Sequence, residues 1–370
     1  MKKLMTVAAL VASALVFTGC GGKPKIPANT VAAAYVDLDN LIGNAFDVVD
    51  DAIDEIPNKE KRKEMREEFK KFVKEHKPDF KAIDAEWLVI TMGIDKEAGP
   101  EFAAVLKCDC KTPIPSAGNQ SVKDLFKDGK KIASEAKYET VQIPLGMFGA
   151  MIPSEVRGML SPSLFVTIAK DKYVIFTMTK DMTDKMVDLY VNGKGKTSDD
   201  FDDLADVGGD TVIRIQTAEV ETVAKNLGFK EEIEKFFKEA GDEDMADLIL
   251  DIENITLDIN FSDDIVGAVL TVDAGSRELA KVVESAFNVI AFASRLGVDV
   301  GAGAGPMVVP LLKKLNMPIK DSEKFAKMIK AVADEARDAV EADRSGSTAT
   351  LTLELDTDDL LEAVVPAFFE

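Results

Sequence analysis

The 370-residue sequence is poor in the side chains on which much enzyme chemistry and metal binding depend. It contains one histidine, three cysteines and one tryptophan. A single histidine argues against histidine-based acid–base catalysis, and so few soft ligands argue against a structural zinc site. The G-x-S-x-G motif of serine hydrolases is absent too. We therefore expect a protein without enzyme activity and without a cofactor; a hydrolase using carboxylates is the remaining enzymatic alternative.

Positive charge is also scarce. The 45 Lys and Arg residues stand against 66 Asp and Glu residues, which gives a formal net charge of −21. Nucleic-acid binders depend on Lys and Arg to neutralise phosphates, so a nucleic-acid partner is not expected. Hydrophobic types make up 46% of the chain and charged types 30%, a composition typical of a globular protein. The length is sufficient for one large domain or two ordinary ones.

The N-terminus has the organisation of an export signal. Two lysines follow Met1, and the uncharged stretch Leu4–Phe17 is shorter than the roughly 20 residues that a transmembrane helix needs. The next residues, Phe17-Thr18-Gly19-Cys20, resemble the lipobox of bacterial lipoproteins. That resemblance implies a signal peptide over 1–19 and palmitate-type acylation of Cys20. A plain signal peptide with a chance cysteine, or a buried N-terminal helix, are the alternatives.

The same resemblance predicts where the protein resides. Residues 20–30 would form a lipidated tether, flexible at its glycine- and proline-containing start, and the acyl chains would attach the chain to a membrane. In this class an Asp directly after the cysteine usually signals retention at the inner membrane, and here that position is Gly21. The resemblance therefore implies a cell-envelope protein on the outer membrane, facing the periplasm.

Two parts of the chain resemble each other in order and spacing. The matched pairs of segments are 67–75 with 231–239, 84–92 with 251–261, and 104–109 with 268–273. Such internal similarity predicts two related repeats, over 31–192 and 211–370, joined by an acidic, glycine-containing linker over 193–210.

Each repeat shows strand-like alternation interrupted by amphipathic helical patterns. The predicted class is α+β, with an antiparallel sheet in each repeat, helices on one face, and the ferredoxin-like split order β-α-β-β-α-β plus an added helix. In the first repeat the patterns predict strands at 31–38, 86–94, 101–110, 164–169 and 172–179, and helices at 39–56, 58–76 and 120–136. Ser276 and Thr357 are predicted helix N-caps.

Three features of the first repeat have both a structural and a chemical interpretation. Cys108 and Cys110 are predicted to share the buried face of a strand while Lys107 points away; a strained disulfide or a metal site is the alternative. His76 is predicted to cap the C-terminal end of the helix over 58–76. That helix carries nine Lys or Arg among five Glu between Lys59 and Lys77, which indicates a solvated face or, alternatively, a docking surface for an acidic partner.

Each repeat also contains an apolar insert rich in Met, Gly and Pro, at 143–153 and 305–319. The inserts either pack on their own cores or present an adaptable apolar surface to a partner. The candidate binding residues are Met147, Phe148, Met151, Ile152, Met307, Val308, Leu311 and Met317. The leading hypothesis is a non-enzymatic binding or scaffold module for an envelope protein; the alternative is a carrier or sensor of an apolar small molecule or lipid.

Overall fold

Alternating apolar and polar residues build strands that pair edge to edge in one sheet. The computed structural model describes residues 23–95, 99–126, 130–132, 138–144, 163–216, 252–262, 265–295 and 339–369. Its strands are β1 Thr30–Asp37, β2 Trp87–Asp95, β3 Gly99–Lys107, β4 Lys130–Ile132, β5 Thr140–Pro144, β6 Ser163–Ala169, β7 Tyr173–Thr177, β8 Thr211–Gln216, β9 Asn254–Phe261, β10 Ile265–Asp273, β11 Val340–Ser345 and β12 Thr348–Asp356.

Helices lie between these strands. The α-helices are α1 Leu38–Asp54, α2 Lys59–Ile83, α3 Val122–Leu125, α4 Lys180–Val187, α5 Arg277–Arg295 and α6 Thr357–Phe369. A π-helical turn at Asp188–Asn192 and 3-10 turns at Asp199–Phe201 and Leu204–Asp206 follow α4.

The twelve described strands lie in the order β11-β12-β10-β9-β8-β1-β2-β3-β7-β6-β5-β4. Every neighbouring pair is antiparallel. The centre of the sheet is the β1–β8 pair, where Ala34 lies opposite Ile213. From this pair outwards the order is β1, β2, β3, β7, β6 on one side and β8, β9, β10, β12, β11 on the other. The order of strands read outwards from β1 therefore matches the order read outwards from β8.

The mixed α+β class is confirmed, but two tandem ferredoxin-like domains are not. The β1–β8 ladder joins the two predicted repeats in one sheet, so the two halves share backbone hydrogen bonds. A split β-α-β unit would place another strand between β1 and β2, whereas these two strands are direct antiparallel neighbours. The C-terminal helix also crosses the boundary, because Val365 of α6 packs against Ile53 of α1 and Met65 of α2.

Helices cover both faces of the sheet, not the single face predicted from the sequence. On β2, successive side chains point to opposite sides. Leu88 packs against Leu38 and Ile42 of α1. Val89 packs in the cluster that contains Met186 of α4. The α1–α2 pair and the α4 region are consequently separate layers with the sheet between them.

The segment predicted as a linker, 193–210, is part of the folded body. Phe201 is 2% exposed and Leu204 is fully buried, and both belong to the core on the α4 side of the sheet. The guanidinium of Arg214 donates to the carboxylate of Asp203 and to the carbonyl oxygen of Asp200. The outer residues of the segment are acidic and meet water, while Phe201 and Leu204 hold it on the sheet.

Several predicted boundaries also change. Of the helix predicted over 120–136, the described residues contain the short α3, and Lys130–Ile132 form the unpredicted strand β4 instead. Ser276 does accept a hydrogen bond from the amide of Leu279 at 3.2 Å, as an N-cap does. At α6 the capping carboxylate is that of Asp356, which accepts from the amide of Asp359, so the predicted cap at Thr357 is wrong by one residue.

Candidate ligand groove

Helices α1 and α2 form an antiparallel pair that is fixed at its turn. The side chain of Asn58 accepts hydrogen bonds from the first amides of α2 and starts that helix. The Nε of Arg62 donates to the carbonyl oxygen of Ile56 at 2.9 Å, and Arg66 forms an ion pair with Asp54. The cations of the first turns of α2 are thus used to tie the two helices together.

Beyond this turn the helices enclose an open groove with a volume of about 530 Å³. Such a volume lies within the roughly 300–1,000 Å³ range of small-molecule sites. Phe46 of α1 packs against the lining residue Phe69, with 6.2 Å between the ring centroids. Its ring centroid also lies 5.5 Å from that of Phe80. The lining residues are Asp50, Phe69, Lys70, Val73, Lys74, Lys77, Pro78 and Lys81.

The charge of this lining is opposite to that of the chain. Lys70, Lys74, Lys77 and Lys81 recur at steps of four, three and four residues, which places them along one side of α2. With Asp50 as the single acidic lining residue, the formal charge of the groove is +3 on a chain of −21. Within the part of the chain that the structure describes, none of the four lysines forms a side-chain ion pair.

Helix α1 contributes one lining residue to the groove, the acidic Asp50, and Asp51 follows it in the chain. Burial, together with the carboxylates of Asp358 and Asp50, raises the pKa of Asp51 on α1. A bound anion would therefore be placed against α2 and kept away from α1. The groove has a lysine side, an apolar floor and the single carboxylate of Asp50, and this arrangement can orient a ligand that has both charged and apolar parts.

The lysine side is long because α2 does not end at His76. The helix continues through Pro78 to Ile83, so the predicted capping role of His76 is wrong. Asp79 is 5% exposed, and its carboxylate accepts from the amide of Ser116 at 2.9 Å. Burial alone would raise the pKa of Asp79, but the hydrogen bonds from Ser116 together with the nearby His76 outweigh it and lower that pKa. This tertiary bond holds the last turns of α2, including Lys81, in place.

The groove contains none of the sequence-predicted candidate residues among its described lining. Cys20 and the insert residues Met147, Phe148, Met151, Ile152, Met307, Val308, Leu311 and Met317 are all outside the described residues. The start of the first insert, Ile143-Pro144, belongs to β5. The lysine-rich helix is the sequence signal that pointed to the groove, and it also carries the apolar lining residues Phe69, Val73 and Pro78. Nothing in the sequence indicated that Phe46 of α1 packs against Phe69.

The two cysteines are buried thiols, as predicted, but they lie just past the end of β3. Their Sγ atoms are 3.5 Å apart and both are free. The hydrogen bond from Cys110, followed by burial, raises the pKa of the Cys108 thiol, which disfavours the reactive thiolate. Lys107 does not point to solvent: its side chain is 7% exposed and forms an ion pair with Glu86. This part of the sheet is a packed core.

The described ranges lack two features that would indicate a function, a metal-binding cluster and a membrane-spanning helix. They contain no group of three or more His, Cys, Asp and Glu residues placed to hold a metal ion. Among the helices there, none is both long enough and apolar enough to cross a bilayer.

Comparison with known proteins does not assign a family. Neither the known protein families nor the curated proteins contain a match to this chain. Similar solved structures include crystal form III of TP0453, with 9% identity, a TM-score of 0.39, and coverage of 93% of this chain and 98% of that one. Crystal form I of TP0453 has 8% identity, a TM-score of 0.35, and coverage of 94% and 99%.

Proposed function

We propose that this protein is a non-enzymatic binding module of the cell envelope, anchored by acyl chains on Cys20, and that it binds an anionic amphipathic molecule in the α1–α2 groove. The observation that carries the proposal is the groove itself. It joins an apolar floor to four lysines that have no ion-pair partner in the described ranges. This choice favours the small-molecule alternative of the sequence analysis over the protein scaffold.

The two parts of the groove would contribute differently to binding. Each methylene removed from water on the apolar floor is worth about 0.8 kcal/mol. An exposed ion pair to one of the lysines is worth about 0–1 kcal/mol. The alkyl part of the ligand would supply most of the affinity, and the lysines would select an anionic head group and fix its direction.

A protein partner has less support in the described residues. Helix α5 does expose large apolar side chains, with Val282 at 43%, Val289 at 66% and Phe292 at 61%. Nothing in the described ranges specifies what covers them. The outer-membrane, periplasm-facing location remains part of the proposal, and its support is the lipobox resemblance.

We also propose that the two halves are related copies that share one sheet. The support is the matching strand order on the two sides of the β1–β8 pair, together with the internal sequence matches. In this arrangement each copy covers the open edge of the other, because an unpaired β1 or β8 would expose a row of backbone hydrogen-bonding groups.

The binding proposal is tested by calorimetric titration of the full chain carrying Cys20→Ser, which removes the acyl site, with dodecanoate below its micelle concentration. Dodecanol and dodecyltrimethylammonium are the neutral and cationic comparison ligands. Dodecanoate should bind most tightly. The double variant Lys74→Gln/Lys77→Gln should weaken its binding about tenfold, because two exposed ion pairs together are worth about 1.4 kcal/mol.

The matched control is Lys59→Gln/Lys63→Gln, which removes the same charge from the same helix outside the groove. Its dodecanoate affinity should stay within about twofold of the parent's. Equal losses in the two double variants would mean that net charge, not the groove, governs binding. Absence of dodecanoate binding at millimolar concentration would overturn the proposal.

A further inference from the structure

The first described residues are fixed to the body, although the sequence predicted a flexible tether over 20–30. The amide of Ala28 donates to the carbonyl oxygen of Lys196 at 3.1 Å, and the amide of Ser198 donates to the carbonyl oxygen of Ile26 at 2.9 Å. Ile26 is 3% exposed and belongs to the core on the α4 side of the sheet. The burial of Ile26 explains the difference from the prediction. Removing its apolar side chain from water stabilises the attached segment over a free tether.

Side chains secure the same segment. The amide of Lys25 donates to the hydroxyl of Tyr190 at 3.0 Å, and the ammonium of Lys23 forms an ion pair with Asp206. Near the start of β1, the backbone of Asn29 approaches Gly93 so closely that a Cβ at Gly93 would lie 2.7 Å from the Asn29 carbonyl oxygen. The segment from Lys23 onward is therefore a built part of the fold.

This attachment leaves a very short connection to the proposed lipid anchor. Only Gly21 and Gly22 stand between Cys20 and Lys23. Three residue steps span roughly 10 Å at full extension. The head-group layer on one side of a bilayer is roughly 5–7 Å thick. Lys23 can therefore stand only a few ångströms above the lipid head groups.

We infer that the surface around Lys23, here named the membrane rim and comprising residues 23–25 and 193–206, lies against the lipid head groups of the anchoring membrane. The inference rests on the proposed acylation of Cys20. The charge of the rim suits a zwitterionic lipid surface: four lysines against five aspartates leave −1, on a chain of −21. Its charged residues are Lys23, Lys25, Lys194, Lys196, Asp199, Asp200, Asp202, Asp203 and Asp206.

The orientation has a consequence for the groove. Phe201 and Leu204 hold the rim on the face of the sheet that carries α4. Helices α1 and α2 pack on the opposite face through Leu88 and Leu106. With the rim on the membrane, the sheet separates the groove from the bilayer. The groove then opens toward the aqueous compartment, so its ligand would arrive from solution and not from the anchoring leaflet.

The test uses the full acylated chain in phosphatidylcholine vesicles that contain brominated lipid, a short-range fluorescence quencher. A bimane probe is attached at Lys196→Cys in the rim or at Glu67→Cys on α2, both exposed positions. The rim probe should be quenched at least twice as strongly as the α2 probe. Lys194→Cys is a second rim position, should the first variant fold poorly. Equal quenching at the two sites, or stronger quenching on α2, would overturn the inference.

A spacer variant separates the inference from the proposed anchor. Eight Gly and Ser residues inserted between Gly22 and Lys23 add roughly 28 Å of extended chain. Rim quenching should then fall at least twofold while the protein remains vesicle-bound. Mass spectrometry of the N-terminal peptide reports acylation independently. A Cys20 without acyl chains would refute the anchor, whereas an acylated chain with an unquenched rim would refute the orientation alone.

Discussion

The buried ion pair between Lys107 and Glu86 provides a sharp test of the packing on the α4 side of the sheet. The side chain of Lys107 is 7% exposed and that of Glu86 is 15% exposed. Removing one member of such a pair leaves the other charge buried without its partner, which typically costs 3–5 kcal/mol. Because Glu86 keeps some contact with water, we expect Lys107→Met to lower the free energy of unfolding by about 3 kcal/mol, the lower end of that range.

The double variant Lys107→Met/Glu86→Leu removes both charges and should lie within about 1 kcal/mol of the parent protein. Urea unfolding followed by circular dichroism measures all three free energies, and the double-mutant cycle gives the coupling between the two residues. The matched control is Lys111→Met, which breaks the pair with Asp171 at a lysine that is 69% exposed; it should change the free energy of unfolding far less, because water screens an exposed pair. If Lys107→Met costs no more than Lys111→Met, the burial argument is refuted.

Two aspartates should change stability with opposite dependence on pH. The Oδ1 of Asp258 is buried without a hydrogen-bond partner, and burial raises its pKa. Asp258→Asn should add about 1 kcal/mol to the free energy of unfolding at pH 7; this gain should decline as pH falls below the raised pKa and vanish below the ordinary pKa of the unfolded carboxyl, where the group is neutral in both states. Asp79 has a lowered pKa because the hydrogen bonds from Ser116, together with His76, outweigh its burial. Asp79→Asn should cost about 1–2 kcal/mol at pH 7, and the cost should shrink as pH falls through that lowered pKa. Urea titrations from pH 7 to pH 3 check both, and parallel pH profiles for the two variants would contradict the assignment.

Local alternation of apolar and polar residues predicted strands even where the apolar face is only partly buried. The alternation of Ile255, Leu257, Ile259 and Phe261 predicted β9, and the structure has that strand over Asn254–Phe261. The amphipathic spacing after Ser276 likewise predicted α5. The short strands β4 and β11 were missed, because three to six residues with several charges carry too little apolar periodicity to be distinguished from loops.

The failures came from contacts between residues far apart in the chain. Pro78 predicted the end of a helix, yet α2 continues because Asp79 is fixed by Ser116 from another segment. Lys107 was expected to face water, since a lone lysine is costly to bury, but Glu86 neutralises it inside the core. The lysines of the groove are regularly spaced in the sequence of α2, but its contacts with Asp50 and Phe46 of the facing helix α1 are set by the tertiary structure.

The sequence by itself determined the composition, the acidic charge, the lipobox-like N-terminus, the α+β class and most individual strands, because each of these depends on residues that are neighbours along the chain. Only the tertiary structure decided that the two halves share one sheet, that helices cover both of its faces, and that residues 23–30 are held on the body. Those outcomes depend on which strand edges and apolar surfaces meet in space. Periodicity shows that an edge or a face must be covered, and only folding selects its partner.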